Sequence, residues 1–218
     1  MRQKNKPELF PVVGIVDSPE SLAVAAGLRR GDVDFLEWRA DCLPCGQRIP
    51  KSRIPWILTV RHPKEGGGRP WSDLERAEVF RDLMPSAALL DIELRSLPAL
   101  GGIRDAARAA GLPVVASFHD FKATPSTRRL RDLSRKAHDE GAEIFKVATH
   151  TGSAADIARL LGLFESPPLP VAVMGMGQLG FGSRLLFAQC GSALNYGWLH
   201  RPNVSGQWEA LELKRILA

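Results

Sequence analysis

The chain has 218 residues, 44% of them hydrophobic and 24% charged, which fits one globular domain over residues 1–218 with a sizeable core. No apolar run reaches the roughly 18 residues of a membrane span, and the basic, polar residues 1–7 lack the apolar segment of a secretory signal, so the cytoplasm is the expected compartment. The formal charge of +5 comes without a lysine/arginine block and with only 7% aromatics, which argues against nucleic acid and leaves small anionic substrates as the partners to expect.

Strand-like runs begin at Pro11 (PVVGIVDS), Asp34 (DFLEWRAD), Pro55 (PWILTVRH) and Ala88 (ALLDIEL), then at Pro113 (PVVASFH), Glu143 (EIFKVAT), Pro170 (PVAVMGM) and Ser192 (SALNYGWL). They are short and almost continuously apolar, the mark of parallel strands buried on both faces. Amphipathic segments lie between them. Residues 72–84 open on Ser72 with Glu75 three positions on, a capping box. Thr124-Pro125 is expected to open the next helix, with Pro125 in its first turn, and that helix runs to about Glu140. Gly27, Gly111 and Gly141 each follow a helical pattern as C-terminal caps do. Residues 42–54 are too short and too rich in Pro, Gly and Arg for a full helix, so that crossover reads as a loop; residues 208–217 read as a closing helix. Eight strands with intervening helices predict a single-domain α/β fold, a closed (β/α)8 TIM barrel.

In such a barrel the active site forms at the C-terminal ends of the strands. Lys146 interrupts the apolar run of strand six, where an amine is expensive to bury unless it pairs or gives up its charge. Strand five ends in Ser117-Phe118-His119-Asp120-Phe121. An amine and a nearby imidazole are the parts of Schiff-base chemistry coupled to proton transfer. Strand two adds Glu37, Arg39 and Asp41 on one face, strand three Arg61 and a loop with Glu65, and strand four Asp91 and Glu93. Ser183 and Arg184 follow strand seven, and Ser205-Gly206-Gln207 follow strand eight. Each has a plainer reading. Glu37 and Arg39 could be a core salt bridge, Asp91 and Glu93 a polar barrel layer, His119 a satisfied core histidine, and Lys146 a snorkelling side chain. Their joint occurrence on neighbouring strands favours a site.

Two further patterns carry less. Cys42-Leu43-Pro44-Cys45 has the spacing of a redox pair or half a zinc site, but no second Cys/His pair accompanies it, so the cysteines read as loop thiols and no metal is expected. Gly175-Met176-Gly177-Gln178-Leu179-Gly180 spells a dinucleotide fingerprint, but no acid follows about 20 residues on. Its glycines are expected to let a loop fold over the barrel mouth and to leave N–H groups free for an anion beside Arg184.

These segments, in this order from about Pro11 to Gln207, resemble the type I 3-dehydroquinate dehydratases of the shikimate pathway. The matching pieces are Glu37-Trp38-Arg39-Ala40-Asp41, Thr59-Val60-Arg61 with Glu65-Gly66-Gly67, Asp91-Ile92-Glu93, Ser117-Phe118-His119-Asp120-Phe121, and Lys146. Met174-Gly175-Met176-Gly177, Ser183-Arg184, Gly191-Ser192 and Gly206-Gln207 complete them. The resemblance implies a (β/α)8 barrel, a homodimer, no cofactor, and 3-dehydroquinate as substrate. It implies that Lys146 forms an imine with the ketone, that His119 removes the adjacent proton and protonates the leaving hydroxyl, and that Glu65 orients His119. Arg184 would take the substrate carboxylate, Glu37, Arg39 and Arg61 the ring hydroxyls, Gln207 would close over them, and Phe121 with Met174 and Met176 would supply apolar walls.

The sequence departs from that family in four places. The stretch before Pro11 is too short for the β-hairpin that often plugs the barrel bottom, and the 42–54 crossover is shorter than usual. Asn203-Val204-Ser205-Gly206-Gln207 stands where many relatives have Ser-Ala-Pro-Gly-Gln, which implies a more mobile lid. A strand-one serine is expected to be replaced by Gly14. The alternatives of other kinds are a class I aldolase, which shares the lysine but handles phosphorylated substrates, and a barrel that binds without catalysis.

Overall fold

The computed structural model describes residues 10–218. Eight strands are present among the described residues: β1 Val12–Val16, β2 Phe35–Arg39, β3 Trp56–Thr59, β4 Leu89–Glu93, β5 Val114–Asp120, β6 Ile144–His150, β7 Val171–Met176 and β8 Asn195–Trp198. Every ladder is parallel, in the order β7-β6-β5-β4-β3-β2-β1-β8. The chain is therefore a (β/α)8 TIM barrel. Its helices are α1 Pro19–Gly27, α2 Asp73–Leu83, α3 Gly101–Ala109, α4 Thr127–Asp139, α5 Ala154–Leu161, α6 Gly180–Gln189 and α7 Ala210–Leu217. The hairpin question concerns residues largely outside the described ones. Among the described residues no helix is long and apolar enough to cross a membrane.

Period-two alternation sorts the strand side chains into two cores. Val13, Ile15, Ile57, Val115, Ala172 and Tyr196 fill the barrel interior. Val12, Trp38, Leu58, Ile92, Phe145 and Val173 face the helix layer. The β2–β3 crossover is a loop, as its composition predicts. Aromatic packing covers the sheet there instead of a helix: Trp38 and Trp56 meet edge-to-face with centroids 5.5 Å apart, and the Trp56 indole donates to Pro50 O at 3.0 Å.

The barrel closes unevenly. Between β7 and β8 there is no ladder. Ala193 N donates to Val171 O at 2.8 Å, and the Ser192 hydroxyl accepts from Val173 N at 3.0 Å. A side-chain hydroxyl thus stands in for a backbone partner at the seam.

Local signals mostly decide the helix ends. The Ser72/Glu75 capping box is present, and Gly111 and Gly141 cap α3 and α4 in the left-handed region at φ 67° and 77°. Two expectations are corrected. Ser126, not Thr124, caps α4, and Pro125 lies outside the helix. Thr124 is held instead by Thr149 Oγ1 at 2.8 Å and His150 O at 2.7 Å. Gly27 is the last residue of α1 without a left-handed φ, and the extended Leu28 ends that helix by donating to Ala25 O.

Candidate active site

Lys146 projects from β6 into the barrel and is 4% exposed. Its Nζ lies 2.8 Å from Asp91 Oδ2 and 3.5 Å from Glu37 Oε1, and 3.8 Å from the centroid of the Tyr196 ring. A buried ammonium is tolerable only with partners of this kind. Asp91 is held in turn by Arg61 at 2.9 Å and by the Ser117 hydroxyl at 2.6 Å. Burial alone would raise the Asp91 carboxyl; Arg61 and Lys146 overcome it and hold the group well below the carboxylate range. Arg61 also donates to Glu93 at 3.1 Å and to Ser117 Oγ at 2.5 Å, and Glu93 is bound from outside the barrel by the fully buried Arg76. Arg61 is thus the hub of a buried charge network.

His119 ends its apolar run beside Glu65, which the 3-10 turn Pro63–Glu65 delivers from the loop after β3. Glu65 Oε2 accepts from the His119 backbone N–H at 3.0 Å and lies 3.0 Å from His119 Nδ1. The carboxylate oxygen therefore calls for a proton on Nδ1, which leaves the Nε2 lone pair free. Burial, joined by the Arg61 and Lys146 cations, holds the imidazole well below its ordinary value, so near neutrality it is a base. Burial pushes Glu65 up to about 7.

Arg184, on α6, reaches over the β7–β8 seam. Its Nε donates to Gly175 O at 3.0 Å and its Nη1 to Tyr196 O at 3.0 Å, satisfying carbonyls of both seam strands. Burial alone draws it down to about 10, and among the described residues no carboxylate pairs with it. A guanidinium fixed by neutral carbonyls and short of an anion is a seat for one.

These groups meet in one cavity of about 280 Å³. Its walls include Glu37, Arg39, Arg61, Glu65, His119, Phe121, Lys146, Met174, Met176, Arg184 and Gln207, every residue the sequence singles out for catalysis or substrate binding. Arg39 does not pair with Glu37. It forms a two-point bridge to Asp41, Nε–Oδ1 3.0 Å and Nη2–Oδ2 2.7 Å, while Glu37 accepts from Thr59 Oγ1 at 2.8 Å. Phe121 stands half exposed at the rim, its ring stacked on His119 at 6.4 Å.

The family model described as Type I 3-dehydroquinase matches residues 12–218. The chain belongs to that family. A 3-dehydroquinate dehydratase of Geobacillus thermodenitrificans is 32% identical over 227 residues, covering 95% of this chain and 88% of that protein. One from Methanocella arvoryzae is 36% identical over 166 residues, 75% of each chain. The crystal structure of 3-dehydroquinate dehydratase from Geobacillus kaustophilus superposes with a TM-score of 0.81 at 26% identity, covering 95% of this chain and 89% of that one. The protein is a type I 3-dehydroquinate dehydratase.

The dehydratase also carries features that the sequence hides. Asp91, read as part of a structural layer, touches the Lys146 nitrogen directly. Tyr196, Asn203 and Cys42 line the cavity as well. The Cys42 thiol is pushed up to about 12, mainly by burial with Asp41 adding to it, which makes it a poor nucleophile. Strand one needs a correction of phase. Gly14 faces the helix layer, where an added Cβ would meet Leu199 at 3.0 Å, and Ile15 is the strand-one residue on the cavity. The glycine loop after β7 needs another. The amides of Gly177 and Gly180 are not free for an anion, because they donate to Ser205 O and Gly177 O at 2.9 Å each. The Gly177 amide seats the lid instead, and the Gly180 amide closes the turn that leads into α6.

Proposed function

We propose that this dehydratase acts through an imine on Lys146, in a syn elimination that converts 3-dehydroquinate to 3-dehydroshikimate and water in aromatic amino acid biosynthesis. The observation that carries the reading is the Lys146 nitrogen, buried between Asp91 and Glu37 in the same cavity as the His119–Glu65 pair. The ammonium gives up a proton, the amine adds to the substrate ketone, and the same proton returned to the carbinolamine hydroxyl lets it leave as water, giving an iminium cation. The two carboxylates that stabilise an ammonium at this point stabilise an iminium equally well. The cation acidifies the neighbouring C–H. His119 takes that proton on Nε2 and becomes an imidazolium, stabilised by Glu65 through Nδ1–H. The electron pair of the broken C–H bond moves into the enamine and then expels the hydroxyl, which His119 protonates as it leaves. Water hydrolyses the remaining conjugated imine and restores the amine.

In this reading Arg184 receives the substrate carboxylate, and Glu37, Arg39 and Arg61 order the ring hydroxyls. Gln207 closes from the lid, and Phe121, Met174 and Met176 keep bulk water from the reacting carbons. A homodimer in the cytoplasm is the setting carried over from the resemblance.

Borohydride with 3-dehydroquinate should fix substrate mass on Lys146. Lys146→Ala should show neither adduct nor turnover. His119→Ala should condense but stall, accumulating adduct with turnover down by roughly 10²–10⁴. Turnover in the Lys146 variant ends the imine mechanism; a folded His119 variant that never traps an adduct assigns His119 to imine formation as well.

A further inference from the structure

The mechanism leaves one buried polar group of the cavity unused. Tyr196 is the chain's single tyrosine, and it sits in β8 on the barrel interior, 3% exposed. Its ring face supports the Lys146 nitrogen at 3.8 Å, and its carbonyl holds Arg184 Nη1 at 3.0 Å. Its phenolic oxygen is buried and has no hydrogen-bond partner. A buried hydroxyl without a partner costs the fold its lost hydration, and such groups persist where function uses them. The surroundings make this one usable. The residue lines the cavity between the amine that would bond the substrate ketone and the guanidinium that would take its carboxylate. The phenolic oxygen sits at the far end of a ring whose face touches the Lys146 nitrogen. A substrate joined to Lys146 therefore lies against this ring, and the hydroxyl, closed off from solvent in the resting cavity, meets a substrate oxygen as the ring turns on binding.

We infer that Tyr196 is a substrate-contacting residue of this dehydratase: the ring face cradles the cationic nitrogen of Lys146, and the free hydroxyl donates to an oxygen of the bound substrate. The inference rests on the imine reading above. Cation–π contact favours the nitrogen in its charged forms, ammonium and iminium, on the side the carboxylates leave open. The hydroxyl exchanges an unmet hydrogen bond for a met one only when substrate is present, so its contribution goes to binding and turnover rather than to the resting fold.

Tyr196→Phe separates the two parts, because it keeps the ring and removes only the oxygen. We expect kcat/KM to fall about tenfold, the equivalent of one hydrogen bond. Borohydride trapping on Lys146 at saturating substrate should be retained, and Tm should be equal to or above that of the parent. In protein labelled with [13Cζ]tyrosine the one resonance reports Tyr196 alone, and it should shift when the reduced adduct forms on Lys146. A kcat/KM within twofold of the parent, or a resonance that the adduct leaves in place, overturns the inference. So does a lowered Tm, which would assign the hydroxyl to the fold. If the parent itself forms no adduct on Lys146, the imine reading fails and takes this inference with it; if the parent forms one and Tyr196→Phe is indifferent, the inference alone fails.

Discussion

Glu65 and His119 are displaced in opposite directions by the same burial. Glu65 is pushed up to about 7 and His119 is held far down, so near neutrality an imidazole faces a carboxyl close to its own midpoint. A protonated carboxyl can still accept Nδ1–H, but only the ionised carboxylate supplies the charge that stabilises the imidazolium of the proposed mechanism. kcat/KM should therefore fall as pH drops through about 7. Glu65→Gln should lower turnover by roughly a hundredfold, the low end for a positioned acid–base group, and displace that acid limb. Stability should move the other way. A carboxyl whose folded value of about 7 exceeds its usual 4.5 contributes stability that is present below 4.5 and lost as pH rises through 7. The glutamine variant should thus gain Tm over the parent at about pH 8 and not at about pH 5. Identical acid limbs in the two proteins would place the titration on another group. Arg184 is tested by shape. Its Nε and Nη1 already hold Gly175 O and Tyr196 O, and a lysine ammonium cannot hold both carbonyls and offer a fork. Arg184→Lys should raise KM tenfold or more, from the roughly 1–3 kcal/mol of a charged hydrogen bond. An unchanged KM would put the carboxylate elsewhere.

The element that completes the cavity is the lid, residues 202–207, and it is seated by backbone contact. Gly206, at φ 78°, lies against Gly177 and Gly180 so closely that an added Cβ would meet Gly177 O at 2.4 Å and Gly180 Cα at 2.6 Å. Asn203 N donates to Gln207 Oε1 at 2.8 Å, which turns the Gln207 amide nitrogen away as a free donor, and the Asn203 side chain bonds Asp17 after β1. Gly206→Ala should unseat this loop and raise KM by about tenfold. It should change Tm little, because the barrel ladders do not pass through the lid. A wild-type KM would show that Gln207 does not close over the substrate. The same scale shows what a sequence can carry. The strands were legible because burial on both faces leaves uninterrupted apolar runs, and Lys146, His119 and Arg61 stood out because charge breaks such runs. The phase of strand one is not legible, since Val-Val-Gly-Ile-Val has no polar residue to mark a face, and so Gly14 stands in the sequence reading at the site position of the family serine, while the structure puts Ile15 on the cavity. Tyr196 was hidden because a tyrosine in an apolar run reads as ordinary core. The start of α4 was misread because Thr124, Pro125 and Ser126 all resemble helix openings, and the long-range bonds of Thr124 to Thr149 and His150 decide among them.

Across the whole molecule the Lys146 nitrogen is held by a chain of charges that begins outside the barrel. Arg76 on α2 is fully buried in the helix layer. It donates to Val60 O at 2.9 Å, Asp73 at 2.8 Å and Ser96 Oγ at 2.9 Å, and it binds Glu93. Glu93 passes between the strands to Arg61, Arg61 to Asp91, and Asp91 to Lys146. Each pair is buried, so the cost of desolvation is met only while every member keeps its partners. Two features of the fold thus serve the site from a distance: the open β7–β8 seam supplies carbonyls to Arg184, and the helix layer supplies a cation to Glu93. Arg76→Ala should strand Glu93 with a single buried cation. The loss should be about 3–5 kcal/mol, the range for breaking a buried ion pair from one side, and a fall in Tm on the order of 10 °C for a domain of this size. Arg76→Met, which fills the space without the charge, should recover little of it, since the deficit is electrostatic. Activity measured well below the new Tm should also drop, with kcat affected more than KM, because Arg61 and Asp91 lose their fixed positions beside Lys146 while the Arg184 seat is untouched. Recovery of Tm by methionine would mean that Arg76 acts by packing, and an unaltered kcat in a destabilised variant would show that the chain of charges ends at Glu93.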